Sequence, residues 1–528
     1  MFRCVHVGAA HAAHMTPITI LLVEISQQTR EFIRNHRTDD VRDLALHAKR
    51  TPDLDLPWAL DQIAGWQTAR SKLPRWADTD GIIYPPHLSM EQCSSEPTAR
   101  YKAELAARLM ASDGAPAQSD IAAHAQSEQS DEPHDTTVST TTTDAAAPDV
   151  ASSTPRRGRL IDLTGGFGVD FSTMARNFAQ AVYVERQRDL CAIARHNLDL
   201  LGLDDAQVVN ADAASFLATA EDADIIVIDP ARRDEHGGRT FAIADCTPDV
   251  LGMLDLLTAK AGHVLVKLSP MLDWHKAVED CRGTVREVHI VAVANECKEL
   301  LLVLRGRPDA VPVEDAPVTV HCVNITARGT ERFTVAADAT GVHSVGTARH
   351  SDGAATGTTN IESANDGEAL AGSADGAATG VTAGGTVAED SSTTDADGDP
   401  VSHADDGLPF RYLYEPNAAV MKAGCFAALS SAFRVPQLAP NSHLFISDTS
   451  VEGFPGRAFR VATVMTMGKK DLKRGLSGLT HANIATRNFP MSVSQLRGRL
   501  KLQDGGDAYL FATTDRDDRR IIIRATHL

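Results

Sequence analysis

Four acidic residues in the middle of the chain each follow a short apolar run. Asp162 follows Leu160-Ile161, Glu185 follows Val182-Tyr183-Val184, Asp212 comes shortly after Val208-Val209, and Asp229 follows Ile225–Ile228. The first continues as Leu163-Thr164-Gly165-Gly166-Phe167-Gly168-Val169-Asp170. Glycines directly after a buried strand let the backbone turn sharply and approach a ligand closely. A carboxylate at such a turn suits an ammonium group, and one carboxylate can accept hydrogen bonds from two hydroxyls. Taken singly, each acid is as readily a solvated strand end, and the loop a tight turn with no ligand. Three acids in order after a glycine loop point to a bound ligand.

Three further groups of residues could do chemistry. Asp229-Pro230-Ala231-Arg232-Arg233 offers a carboxylate, a backbone carbonyl and two guanidinium groups. Arg232 and Arg233 could contact phosphate or form surface salt bridges. Lys267, in Lys267-Leu268-Ser269-Pro270, could line the same edge. Glu91-Gln92-Cys93-Ser94-Ser95-Glu96, with Thr98 and Lys102, is a dense polar cluster before a helix. It could cover a ligand, or Ser94 or Ser95 could simply cap the helix.

These groups need a scaffold. Residues 158–308 alternate strand-length apolar runs with helical stretches such as Val169–Phe178 and Leu190–Leu201. Short, continuously apolar runs suit strands buried on both faces of a parallel sheet. The expected fold is α/β, doubly wound and Rossmann-like, with seven strands. Its last two strands are separated only by 294–299, which predicts an antiparallel hairpin at one edge. The acids and the glycine loop then lie at the carboxyl ends of the strands, where such sheets bind ligands.

Residues 16–111 read as a helical N-terminal region. Residues 112–157 are rich in Ser, Thr, Ala and Asp and are expected to be a disordered linker. A two-stranded segment is expected over 317–334, turning at Arg328-Gly329. Residues 335–409 read as a second disordered insertion. A small α+β domain is expected over 411–528, joined by 317–334, with a helix over Ala418–Phe433.

The net charge of −19 is unevenly spread along the 528 residues. Residues 112–157 carry eight acids and two bases, and residues 335–409 carry thirteen acids and one base. Residues 415–528 carry sixteen Lys or Arg against nine acids, so the C-terminal end is basic. Nucleic acid is therefore a possible partner despite the acidic average. Eight cysteines include no C-x-x-C pair, which suggests reduced thiols in a cytoplasmic protein and no metal. No apolar run approaches the roughly 20 residues of a membrane span. Residues 1–14 lack the character of a signal peptide, and Met15 is a better start, so they are expected not to belong to the native chain.

The loop at Asp162, with Gly166 and Gly168, resembles motif I of class I S-adenosylmethionine-dependent methyltransferases; Thr164 stands where that motif has its first glycine. The resemblance implies that Asp162, Thr164, Gly166 and Gly168 hold the amino-acid end of S-adenosylmethionine. Glu185 would take the ribose hydroxyls, and Asp212 with Ala213 the adenine. Asp229-Pro230 resembles motif IV of the amino-methylating branch, although Ala231 and Arg232 replace its second proline and aromatic. In that branch these residues hold an exocyclic amino group in line with the methyl.

The C-terminal motifs Tyr412-Leu413-Tyr414-Glu415-Pro416-Asn417, Phe454-Pro455-Gly456-Arg457 and Arg487-Asn488-Phe489-Pro490 add to this. So do Arg497–Lys501 and Gly505–Phe511. Together they are similar to a bacterial family with a methyltransferase core and a THUMP-like domain. That resemblance implies binding of structured RNA, tRNA or rRNA, through Arg232, Arg233, Lys469, Lys470, Arg487 and Arg497. It implies a methyltransferase acting on a guanine N2-like amino group. A methyltransferase for protein or small molecules, and a non-catalytic RNA-binding protein, are the other readings.

Overall fold

A computed structural model describes residues 25–49, 51–112, 157–232, 243–307, 317–338, 341–351 and 408–528. The expectations for residues 1–14, for most of the two acidic segments and for Arg233 lie outside them.

The chain divides into two compact units, the first running to Ala327 and including Ala337–Gly341, the second comprising Arg328–Ala336 and the chain from Val342. The first unit is built on strands β1 (Arg159–Asp162), β2 (Gln180–Glu185), β3 (Gln207–Asn210), β4 (Ala223–Ile228), β5 (Ala261–Leu268), β6 (Val285–Val293), β7 (Glu296–Arg305) and β8 (Val318–Thr326). Their order across the sheet is β8-β6-β7-β5-β4-β1-β2-β3. β1 to β5 are mutually parallel, and β7 runs antiparallel to both β5 and β6. The doubly wound sheet expected from the sequence is present, and its order reverses between β1 and β4. The expected hairpin turns at Ala294 and Asn295, both at positive φ, as a two-residue hairpin turn requires; it lies inside the sheet and not at its edge, because β8 pairs alongside β6.

Two details depart from expectation. Of the two-stranded segment, β8 pairs in parallel with β6 and so extends the first unit's sheet beyond seven strands. The next strands, β9 (Gly329–Asp338) and β10 (Gly341–Ser351), reach into the stretch expected to be disordered. Phe333, Val335 and Ala337 are buried while Thr334 and Ala336 between them are not, a period-2 pattern that the acidic average of the segment hid.

The N-terminal region is helical: α1 (Gln27–His36), α2 (Val41–His47), α3 (Leu56–Lys72), α4 (Pro74–Ala77), α5 (His87–Gln92) and α6 (Glu96–Ser112). It is part of the first unit's core. Ala103, Leu105, Ala106 and Leu109 of α6 pack with Phe171, Phe178, Val291, Leu301 and Val303. Leu73, Trp76, Ile83 and Tyr84 pack with Phe167, Val169, Leu190 and Ile193. Asn197, fully buried, ties the two layers by bonding both the N–H and the carbonyl of Ile83, at 2.9 and 2.8 Å.

The crossover helices α7 (Val169–Met174), α8 (Arg188–Leu200), α9 (Ala213–Thr219), α10 (Val250–Lys260) and α11 (Trp274–Asp280) link or follow the strands. Each of the last three is capped by an aspartate, Asp212, Asp249 and Asp273, that accepts first-turn N–H groups.

The second unit carries a six-stranded sheet made of β11 (Tyr412–Pro416), β12 (Phe445–Ser447), β13 (Gly456–Thr466), β14 (Asn483–Arg487), β15 (Ala508–Thr514) and β16 (Arg520–His527). Their order is β12-β11-β13-β16-β15-β14. One face holds Leu413, Phe459, Val461, Phe511 and Ile523; the other holds Met465, Leu496, Leu510 and Ile522. The expected helix over 418–433 is two helices, α12 (Ala418–Ala423) and α13 (Phe426–Phe433). Gly424 adopts φ +71° and ends the first, a left-handed stop that glycine takes without a Cβ penalty. Helices α14 (Lys469–Gly475) and α15 (Val493–Leu500) complete the unit, α15 with a Ser492–Gln495 capping box.

Candidate active site

The site lies at the carboxyl ends of β1, β2 and β4, around the point where the sheet order reverses. Thr164 stitches that point together. Its hydroxyl accepts the backbone N–H of Asp229 at 2.6 Å, and its own N–H donates to Asp162 Oδ1 at 3.0 Å. A glycine could not make the first of these bonds, which gives a structural reason for threonine at this position.

The glycine loop is held by β2. The N–H of Gly165 donates to the Val184 carbonyl at 2.9 Å, and Tyr183 Oη donates to the Gly166 carbonyl. Gly166 and Gly168 have φ of +54° and +90°, the left-handed region in which a side chain is strained. A Cβ on Gly165 would lie 2.1 Å from the Tyr183 ring. Phe167 points away from the sheet into the N-terminal helices, with its ring 4.6 Å from Trp76 and 6.3 Å from Tyr84.

Glu185 is buried and accepts the N–H of Gly166 on Oε2 at 3.1 Å and that of Gln187 on Oε1 at 2.8 Å. Each oxygen keeps a second acceptor site, which is what a pair of hydroxyls requires. Asp162 is buried, and burial pushes its carboxyl up to about 7, with the charges of Asp170, Asp229 and Glu185 acting in the same direction. Asp212 is exposed and uses Oδ1 to cap α9, accepting from Ala214 and Ser215 at 3.1 Å each; Ala213 is buried beneath it.

Two lysines enter this acidic field. Lys267 Nζ donates to Asp229 Oδ2. Burial would lower the Lys267 ammonium, but the charges of Asp229, Glu299 and Asp170 outweigh it and hold the group charged. Lys102, on α6, has a side chain only 1% exposed. It meets Glu299 Oε2 at 2.5 Å, Ser94 Oγ at 2.9 Å and Asp170 Oδ1 at 3.0 Å. Ser94 donates to Asp170 Oδ2 at 2.7 Å. Ser94 therefore does not cap α6; Ser95 occupies the capping position, its carbonyl accepting the Ala99 N–H at 2.9 Å. Burial raises Asp170, whereas Glu299 is held low because Lys102 and Lys267 outweigh its burial.

The structure thus brings Asp162, Thr164, Gly166, Gly168, Glu185, Asp229 and Lys267 together, and adds Ser94, Lys102, Asp170 and Glu299. Asp170 and Glu299 were missed from the sequence. Asp170 carried one signal, an acid in the first turn after the glycine loop. Pro230 is buried and Ala231 is exposed, with no aromatic residue in its place. The backbone of Arg232 pairs with Cys246. Lys469 and Lys470 are exposed at the start of α14, while Arg497 is engaged by Asp504 at 2.6 Å and the Ala482 carbonyl at 3.2 Å.

A separate cluster, Glu287, His289 and His321, also escaped the sequence reading. Its possible ligand atoms lie within 4.8 Å of one another. His289 Nε2 bonds Glu287 at 2.9 Å and Nδ1 bonds Tyr101 Oη at 2.7 Å, while Arg108 grips both Glu287 oxygens. The guanidinium already neutralises the carboxylate that a metal would need.

Residues 412–455 match a family model described as a ferredoxin-like domain. Residues 456–526 match one described as THUMP domain-like. The THUMP-like expectation for the C-terminal part therefore holds from Gly456 onward. No curated protein sequence matches the chain. Among solved structures, one described as "putative methyltransferase from Porphyromonas gingivalis W83" shares the fold. It aligns over 95% of this chain and 97% of its own, at a TM-score of 0.63 and 24% identity. The T. thermophilus 16S rRNA N2 G1207 methyltransferase, in complex with AdoMet and guanosine, overlaps 29% of this chain and 38% of its own. That overlap has a TM-score of 0.23 and 21% identity.

Proposed function

We propose that this chain is an S-adenosylmethionine-dependent methyltransferase that modifies an exocyclic amino group, of the guanine N2 type, in structured RNA. The observation that carries the reading is the meeting of Asp162, Gly166, Gly168, Glu185 and Asp229 at the one point where the sheet order reverses. The donor set fits the cofactor. Buried carboxylates outnumber the lysines, so the pocket favours a ligand with positive charge. Asp162 would hold the ammonium, Glu185 both ribose hydroxyls, and Asp212 with Ala213 the adenine edge. When bound, the cofactor supplies an electrophilic methyl group.

The remaining chemistry belongs to the chain. Lys267 holds one oxygen of Asp229. Asp229 is 43% exposed and presents its other oxygen to a substrate N–H. The Pro230 carbonyl takes the second N–H. Two acceptors fix the nitrogen lone pair in line with the methyl, so the rate gain comes from positioning. RNA as substrate is supported by the THUMP-like match and by the exposed Lys469 and Lys470.

Calorimetry with S-adenosylmethionine tests the site. Micromolar binding that Glu185→Ala abolishes is the expected result. Unchanged binding in both Glu185→Ala and Gly166→Arg sinks it, and no binding by the unaltered protein leaves a non-catalytic RNA-binding protein. One observation favours a second substrate class: exposed Ala231 stands where the resemblance puts a base-stacking aromatic. Labelled methyl transfer into a protein or small-molecule fraction, and none into RNA, would establish that alternative.

A further inference from the structure

Three of the motifs singled out in the C-terminal sequence converge on one carboxylate. Glu415 comes from the Tyr412–Asn417 motif, Arg457 from Phe454–Arg457, and Arg487 opens Arg487–Pro490. Glu415 has a side chain 3% exposed and lies directly across from Arg457 in the β11–β13 ladder. Arg457 donates to Glu415 Oε2 through Nε at 2.9 Å and through Nη2. Arg487 Nη2 donates to Oε1 at 2.7 Å.

The second contact is informative about shape. Three strands lie between β11 and β14 in the sheet order. At roughly 4.8 Å per strand, a flat sheet would hold them about 19 Å apart. The sheet must therefore curl, and the Arg487–Glu415 bond spans its concave face. The same face carries Phe459 and Tyr509. The Arg457 guanidinium lies over both rings, 5.5 and 5.9 Å from their centroids.

Two guanidinium groups share one carboxylate, so the cluster keeps a net positive charge. Both are partly exposed, at 41% and 36%. The Nε–H of Arg487 is buried and has no hydrogen-bond partner, a costly state for a donor beside a charge. Arg457 has one guanidinium face against aromatic rings and is open on its solvent side. A guanidinium plane fixed this way is a platform on which a nucleobase can stack.

We propose that this concave face is a nucleotide subsite for RNA, in which an unstacked base lies on the Arg457 guanidinium and Arg487 takes the adjoining phosphate. The proposal rests on the RNA reading above and adds a location and a contact mode to it. Glu415 is a positioning residue: it holds both guanidinium planes in place before RNA arrives.

The test uses the full chain with two fluorescein-labelled probes, an oligoadenylate and the same ribose–phosphate chain without bases. Arg457→Lys keeps the charge but removes the plane. It should weaken oligoadenylate binding about tenfold, the scale of one lost stacking contact, and leave the abasic probe unaffected. Arg487→Lys, which loses the fork, should weaken both probes. Melting temperature and S-adenosylmethionine binding should match the unaltered protein in both variants. Wild-type affinity for both probes in both variants would overturn the subsite and leave the RNA reading standing. Failure of the unaltered protein to bind either probe would overturn both.

Discussion

The two units solve opposite electrostatic problems with the same side chains. At the carboxyl ends of β1 and β4, five carboxylates (Asp162, Asp170, Glu185, Asp229 and Glu299) surround two lysines. On the concave face of the C-terminal sheet, two arginines surround one glutamate. The first cluster is largely buried; the second has a buried carboxylate and half-exposed cations. Ions removed from water must find partners inside the protein or in a ligand. The first cluster therefore lacks positive charge and the second lacks negative charge. Charge imbalance, and not the number of charged groups, is what the two proposed sites have in common.

The comparison breaks most severely at Lys102. Lys102→Met leaves Glu299 and Asp170 buried without their cation and should cost about 3–5 kcal/mol in chemical denaturation. Adding Glu299→Gln should recover part of that loss. A single variant as stable as the unaltered protein would mean the carboxylates are solvated. The matching change in the second unit, Glu415→Gln, should cost less, about 1.5–3 kcal/mol, because water can solvate the two arginines it releases.

A pH series sharpens the contrast at Asp162. Its folded value, about 7, stands above the ordinary 3.8, so the group is protonated below neutrality. Stability that this group contributes is complete below pH 3.8 and is lost as pH rises through 7. Under the proposed function, cofactor binding should have the opposite dependence, because the ammonium would need the carboxylate. Affinity for S-adenosylmethionine should approach its full value about one unit above pH 7 and fall about tenfold between pH 8 and pH 6; a flat calorimetric profile would remove Asp162 from the site. The smallest effect belongs to the exposed lysines. Lys469→Ala and Lys470→Ala should each lower the log–log salt slope of RNA binding by about one and weaken affinity only a few-fold.

What the sequence revealed follows the distance over which each feature is encoded. The glycine loop, the acids at the strand ends and the β6–β7 hairpin are local, and each stood in a window of a few residues; that the hairpin is not at an edge depends on β8, which pairs from farther along the chain. Thr164 was visible only as a departure from a motif; its bond to the Asp229 N–H spans 65 positions and gives that departure a purpose. Lys102 and Glu299 lie 197 positions apart. No periodicity connects them, since their meeting depends on α6 crossing the sheet beside β7. The C-terminal motifs were plain as text, yet nothing in them said that Glu415, Arg457 and Arg487 share one point. Sheet curvature put them there. The strand over Gly329–Asp338 was hidden by averaging, because the alternation of buried Phe333, Val335 and Ala337 vanishes in the mean of the acidic stretch that follows.

Phe167 has a practical consequence. It sits inside the glycine loop, yet its ring is gripped by Trp76 and Tyr84, residues made long before the first strand of the sheet. During synthesis the residues that form this socket leave the ribosome well before the ring that fills it. A fragment trimmed to begin at Arg159 would expose Phe167 to water and free the loop from its outer anchor. A shortened chain that keeps this anchor has to start near Leu56, and the helices before the sheet cannot be exchanged like a tag.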